Sequence, residues 1–182
     1  NATRHRAALD AIAAHLKSPE GPGWLAKGAL LLARIDRDDI DIDERLDEIA
    51  RLAKRAGETA KGVADPAARL DAFLFEELGF HGARAEYHHH SNSDLASLLD
   101  DREGMPLTLA MLYLEIGWRL GLKLDGVGLP GNFVVRWNRD KDKPVFVDVH
   151  ERGKRLPEAD LPKLAGLPPG STLPKDSLKG MT

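Results

Sequence analysis

The sequence predicts an α+β fold, and three observations carry that expectation. Apolar residues recur at helical spacing through about the first hundred residues. An almost wholly apolar helix candidate follows, Pro106 to Leu120, and after Gly121 the period changes from helical to alternating. Helices first and strands afterwards give segregated layers, not alternating βα units. With 182 residues the chain has the size of one domain and can bury a core without staples. We read a single domain over 1–182: a helical part over 1–91, a core over 92–156 and a C-terminal strap over 157–182.

Leu9, Ile12, Ala13 and Leu16 define the first helix, which breaks across Ser18 to Gly23. Trp24, Gly28, Leu31, Leu32 and Ile35 repeat the pattern. The acidic stretch Asp36 to Glu44 leads into Leu46, Ile49, Ala50 and Ala53, a helix expected to stop at Gly57. Asp65 followed by Pro66 is a helix start, because Asp accepts hydrogen bonds from free N–H groups and Pro lacks the first N–H anyway. Leu70, Phe73, Leu74 and Leu78 continue it to Gly79. Ser93 reads as the next cap, before Leu95, Leu98 and Leu99.

Within Pro106 to Leu120, Leu107, Ala110, Met111, Leu114 and Trp118 form one stripe, and Leu109, Leu112, Ile116 and Leu120 cover most of the rest. Only Thr108, Tyr113, Glu115 and Arg119 interrupt it. A helix apolar nearly all round is a central one. Pro106 suits its first turn and Gly121 its end.

Leu124 and Val127 suggest a first strand, Asn132 to Trp137 a second and Val145 to Val149 a third, the last two joined by the polar turn Asn138 to Pro144. Phe133, Val135, Trp137, Val145, Val147 and Val149 share one apolar face. The other face is mixed: Asn132, Val134, Arg136, Phe146, Asp148 and His150. A turn centred near Asp140 or Lys141 sets Asn132 across from Asp148 or His150. Gly126, Gly128, Pro130 and Gly131 let the chain turn tightly before the second strand. The Pro- and Gly-rich end, with one short helix from Pro157 to Ala165, reads as a strap. Trp24, Trp118 and Trp137 read as core or core-edge anchors.

Composition removes several function classes. The 26 Lys and Arg stand against 29 Asp and Glu, a net charge of -3, so the basic excess of a nucleic-acid-binding domain is missing. The absence of cysteine excludes disulfides, thiolate metal sites and any cysteine nucleophile. No apolar run approaches the ~18 residues of a membrane helix. Asp10 and His15 interrupt what would be a secretory apolar core. A soluble cytoplasmic protein is expected, without membrane, nucleic acid or cofactor. The chain opens on Asn1 and not Met, which reads as a trimmed start.

Four blocks then carry a resemblance: LDAFLFEELGFHG (Leu70 to Gly82), NSDLASLLDDREGMPLTLAMLYLEIGWRLGL (Asn92 to Leu122), GVGLPGNFVVRW (Gly126 to Trp137) and VFVDVHERGKRL (Val145 to Leu156). Together with GALLLARID (Gly28 to Asp36), their order and spacing resemble the transglutaminase-like superfamily, in its bacterial SirB-type branch. The resemblance implies a papain-like core behind an N-terminal helical bundle. In active members a Cys at the start of the central helix attacks an amide carbonyl, a His on the adjoining strand exchanges the proton, and an Asp on the next strand orients that His. Those positions correspond here to a site at or beside Pro106, to Asn132 in a PGNF stretch where the branch usually reads PGHF, and to Asp148. Proline has no nucleophilic atom, and an amide cannot bind and release a proton near neutral pH. DVHERG also departs from the DPFxGG common in the branch, so the setting of Asp148 differs too. The resemblance implies that the ancestral reaction is lost. It also implies that the tetratricopeptide-like region into which longer members continue is lacking, leaving its groove to the strap.

Other constellations have sharp and plain readings. A rebuilt centre would use Thr108 as nucleophile and His150 as base beside Asp148, a residual hydrolase or acyltransferase; the plain readings are a first-turn Thr bonded to backbone and a strand-end histidine. His88, His89 and His90, with Glu86 or Asp94, suggest a metal, but neighbouring side chains diverge and a solvated loop is preferred. Asp36, Asp38, Asp39, Asp41 and Asp43 imitate a calcium loop, yet Glu44 stands where the turn Gly belongs and Ala50 where the bidentate Glu belongs. Their plain role is a charged helix start. Asn132 reads as an amide holding Asp148 or a backbone group, with Arg102, Glu103 and Tyr113 completing the polar cluster.

The expectation is therefore a catalytically inactive module, without metal or cofactor, that binds an unknown protein or peptide partner through the old cleft or the helical surface. Its candidate binding residues are Asn132, Asp148, His150, Arg102 and Tyr113. Besides the rebuilt enzyme, one rival remains: a structural module whose tail, Leu167 to Thr182, lies across Asn132.

Overall fold

A computed structural model describes residues 2–83, 94–140 and 143–178. Among the described residues, seven α-helices occupy Ala2–Leu16 (α1), Trp24–Ala33 (α2), Ile42–Ala60 (α3), Pro66–Asp71 (α4), Leu95–Asp101 (α5), Pro106–Arg119 (α6) and Leu161–Leu164 (α7). The starts follow local chemistry. Asp41 accepts the N–H of Glu44 at 3.1 Å to cap α3, and Asp65 accepts that of Ala68 at 3.0 Å to cap α4, with Pro66 behind it. Ser93 lies outside the described residues, and the described cap of α5 is Asp94, which accepts the Ser97 N–H at 2.8 Å.

Several expectations are corrected. Helix α3 runs past Gly57 to Ala60, because Gly57 costs only about 1 kcal/mol in a helix and sits where Leu120 approaches its α-carbon. The continuation of α4, Ala72–Glu77, is a π-helix. In α1 and α2 the expected stripes are covered only in part, Leu31 being buried and Ile12 packed against the core. Leu16 and Leu32 are exposed, whereas His15 and Leu30 are buried, the His15 Nε2 donating to the Trp24 carbonyl at 2.8 Å and the ring stacking on the Trp24 indole. In short helices rich in Ala and Leu, periodicity alone does not decide which side a neighbour covers.

Helix α6 is central, as expected. It packs on α2, α3, α5 and the sheet, and Leu109, Leu112, Tyr113 and Ile116 are all buried. The sheet is a four-stranded antiparallel meander of Leu124–Leu129 (β3), Asn132–Trp137 (β4), Val145–Asp148 (β5) and Lys154–Leu156 (β6). Two-residue parallel strands, His81–Gly82 (β1) and Glu103–Gly104 (β2), tie the end of the helical part to the start of α6. Strands β1, β2 and β6 are too short to show alternation in sequence. The hairpin β3–β4 turns on Pro130 and Gly131, the latter at φ +67, with Leu129 facing Asn132.

The two faces of the sheet serve two cores. Phe133, Val135, Trp137, Val147 and Val149 pack with the helices, and Val145 lies against them, as the alternation requires. Val134 and Phe146 face the other way and are covered by Leu161, Ala165 and the chain beyond, as far as Leu178. Arg136 ties that chain down by donating to the Leu178 carbonyl at 2.6 Å while pairing across the sheet with Asp125 at 2.6 Å. Fully burying side chains such as Val134 and Phe146 contributes roughly 1.5–3 kcal/mol each. None of the described helices is long and apolar enough to cross a membrane.

Candidate functional site

Pro106 is the first residue of α6 and is buried, following a cap residue, Met105, that makes no side-chain bond. Thr108, two residues on, is 1% exposed. Asn132 opens β4 half-buried, and its Oδ1 accepts the backbone N–H of Phe133 at 2.8 Å.

Asp148 ends β5 and is 3% exposed. Its Oδ1 accepts the N–H of His150 at 3.1 Å and of Glu151 at 3.2 Å, and its carbonyl accepts that of Gly153 at 2.9 Å. The carboxylate therefore organises the turn from β5 into β6. Burial pushes its carboxyl above the ordinary range, and the Glu151 N–H pulls it back.

His150 binds Asp148 through its backbone. Its Nε2 lies 3.2 Å from the Ala83 carbonyl, and since a carbonyl only accepts, Nε2 carries the hydrogen there. The ring lies over Gly82 so closely that a β-carbon at that residue would come within 2.6 Å of it. The imidazole thus ties the β5–β6 turn to β1.

Neither expected facing of Asn132, with Asp148 or with His150, is among the pairings observed. The β4–β5 ladder runs from Trp137 opposite Val145 to Val135 opposite Val147 and stops there, while Asp148 pairs with Lys154 of β6. The Asp148-held turn draws β5 away before Asn132 is reached. Among the described residues no hydrogen bond joins Asn132 to Asp148, Arg102 or Tyr113.

Tyr113 belongs to a separate cluster. Its hydroxyl donates to Asp71 Oδ1 at 2.8 Å, and Arg155 pairs with Asp71 Oδ2 at 2.6 Å. Burial pushes the Asp71 carboxyl up against the lowering pull of Arg155, and burial with the neighbouring carboxylate pushes the Tyr113 phenol far up, so it remains a neutral donor. Arg102 caps α5 in the left-handed region at φ 63, and its guanidinium lies 4.5 Å over the Phe80 ring. Glu103 lies in β2.

Sequence reasoning missed Asp71, Arg155 and the central carboxylate Glu115. Glu115, 1% exposed, accepts the N–H groups of Gly23 at 3.0 Å and Ala26 at 2.8 Å and pairs with Arg119 at 2.6 Å. A lone carboxylate in an oily helix with Arg four residues on was a readable signal of a buried pair.

The remaining candidates resolve locally. Asp94 is occupied by Ser97 and lies 3.5 Å from Arg37; His88, His89, His90 and Glu86 lie outside the described residues. Asp41 is a helix cap, the plain reading of the acidic run. Among the described residues no group of three or more His, Cys, Asp or Glu is placed to hold a metal.

Among the cavities that the described residues form along the helical side, two adjoin. One of about 590 Å³ lies between Pro22, Trp24, Leu114, Trp118 and Phe133, and another of about 850 Å³ between Leu16, Leu32, Ala33 and Leu95; Trp24, Leu25, Leu107 and Met111 line both.

The model of one protein family, described as the transglutaminase-like superfamily, matches residues 40–179. The chain belongs to the transglutaminase-like superfamily. The superfamily match contains all three positions Pro106, Asn132 and Asp148. A UPF0162 protein of Xylella fastidiosa is 32% identical over 155 residues, 84% of this chain and 55% of that protein. A UPF0162 protein of Vibrio cholerae is 32% identical over 127 residues, 68% of this chain and 47% of that protein. Human F-box only protein 21 is 30% identical over 107 residues, 53% of this chain and 17% of that protein. The chain spans about half the length of the two bacterial relatives. No solved structure matches it.

Proposed function

We propose that this transglutaminase-like chain is catalytically inactive and binds a protein or peptide partner in the cytoplasm, using no metal or cofactor. Its placement in the SirB-type bacterial branch belongs to the same proposal. One observation carries it: the polar groups at the implied catalytic positions hold backbone. Asn132 Oδ1 takes the Phe133 N–H, and Asp148 Oδ1 takes those of His150 and Glu151. Pro106 supplies no nucleophile, and loss of a positioned base alone costs roughly a hundredfold or more in rate. Thr108, the nearest hydroxyl, is 1% exposed, which leaves a substrate carbonyl no approach.

Two contact regions fit such a module: the old cleft, with Asn132 and the turn from Asp148 to His150, and the cavities along the helical side. Purified protein incubated with a glutamine-containing peptide should show an unchanged intact mass, and immobilised protein should retain a specific protein from extract. Asp148→Ala loses that protein if the old cleft is the contact and keeps it if the helical side is. An acyl group mapped to Thr108 would overturn the inactive reading. Absence of any specific capture would overturn the binding one.

A further inference from the structure

We propose that the trough between α2 and α6 receives an amphipathic helix with basic ends, supplied by a partner protein. The inference rests on the binding reading above and names its site and the chemistry of its occupant. Leu107, Met111, Leu114 and Trp118 follow helical spacing along α6; Leu114 is buried, but the two ends of the stripe stay open, Leu107 48% and Trp118 42% exposed. Leu32 of α2 is 56% exposed on the same side. The cavities of about 590 and 850 Å³ share Trp24, Leu25, Leu107 and Met111 and so form one trough. At 1.5 Å per residue, Leu107 to Trp118 along α6 and Trp24 to Ala33 along α2 each run roughly 15 Å, room for an apolar stripe of about three helical turns with its charged ends beyond it.

Backbone chemistry favours a helix over an extended segment. The N–H groups of Gly23 and Ala26 beside the trough are already taken by Glu115. An extended peptide on an apolar floor would leave its own polar backbone unpaired, whereas a helix satisfies its backbone internally and offers an apolar stripe.

Charge chooses the ends. Exposed Glu20 stands at one end and exposed Asp36 at the other. Beyond Asp36, the stretch with Asp38, Asp39, Asp41, Asp43 and Glu44 outnumbers Arg34, Arg37 and Arg45. Of the arginines lining the trough, Arg119 is paired with Glu115, and Arg37 lies 3.5 Å from both Asp39 and Asp94. Lys or Arg flanking the apolar stripe would meet both acidic ends. A second copy would bring the same acidic ends against each other, which disfavours self-association.

The test is a titration that reads Trp24 and Trp118 fluorescence in the whole chain. The probe is a peptide of about sixteen residues with Leu at helical spacing and Lys at both ends. The comparators are the same peptide with Glu ends and one with the apolar stripe scrambled. The Lys-ended peptide should bind at least about tenfold more tightly than either. Leu107→Glu should weaken it by roughly tenfold or more, and Asp36→Lys should reduce the preference for basic ends. Both side chains are exposed, so circular dichroism should be unchanged. Equal binding of the three peptides, or no binding, overturns the proposal. A dimer dissociated by Leu107→Glu assigns the trough to a second copy and also overturns it. Binding that survives Leu107→Glu but is lost in Asp148→Ala overturns this site and leaves the binding reading standing.

Discussion

The carboxylate of Glu115, midway along the central helix, accepts the backbone N–H of Gly23 at 3.0 Å across 92 residues of sequence. With the Ala26 N–H at 2.8 Å and Arg119 at 2.6 Å, it supplies at the start of α2 the cap that Gly23 cannot. Glu115→Ala leaves two buried N–H groups and a half-buried guanidinium without that acceptor. Removing one partner of a buried pair costs about 3–5 kcal/mol, and urea unfolding should show a loss near the lower figure. A loss under about 0.5 kcal/mol, the size of a surface change, would contradict the assignment.

Tyr113→Phe removes the donor to Asp71 while keeping the ring. The loss should be about 1 kcal/mol, the net value of a buried hydrogen bond, read as a lower midpoint of thermal unfolding. An unchanged midpoint would mean that the hydroxyl contributes nothing to the Asp71–Arg155 cluster.

Gly153 has φ +81, and a β-carbon there would lie 2.7 Å from Asp71 Cγ. Gly153→Ala therefore combines left-handed strain with a clash against a carboxylate held by Arg155 and Tyr113. It should cost about 2 kcal/mol or more, within the range of overpacking. A neutral substitution would place the β5–β6 turn elsewhere.

Asp148 also gives a pH prediction. Burial raises its folded-state pKa above the unfolded value, so the folded chain binds this proton more tightly. Its contribution to stability is full below the unfolded pKa and is lost as pH rises through the folded one. Asp148→Asn keeps an acceptor for the turn without the charge. Relative to the parent, the variant should gain stability from the carboxylate range up to neutral pH. Parallel stability curves for the two proteins would refute the raised pKa.

Much of the fold was legible, and the gaps have physical causes. Alternation in Phe133, Val135 and Trp137 named the face that packs on the helices, because a period of two admits only one division of the strand. Asp65 with Pro66, and Pro130 with Gly131, announced a helix and a hairpin through their own backbone preferences. Leu16 and Leu32 misled, since an Ala- and Leu-rich helix is apolar on more sides than its neighbours cover. The site was only partly readable. The identities of Pro106 and Asn132 bear directly on chemistry, but the attachment of His150 to Ala83 and of Tyr113 to Asp71 spans 67 and 42 residues and leaves no local pattern.

The most direct measurement is ammonia release from a glutamine-containing peptide, with an amine acceptor present, by the purified chain at neutral pH. Release indistinguishable from the uncatalysed rate, and identical in Thr108→Val and Asp148→Asn, is the predicted result. Steady turnover that either substitution abolishes would show a working centre and contradict the account.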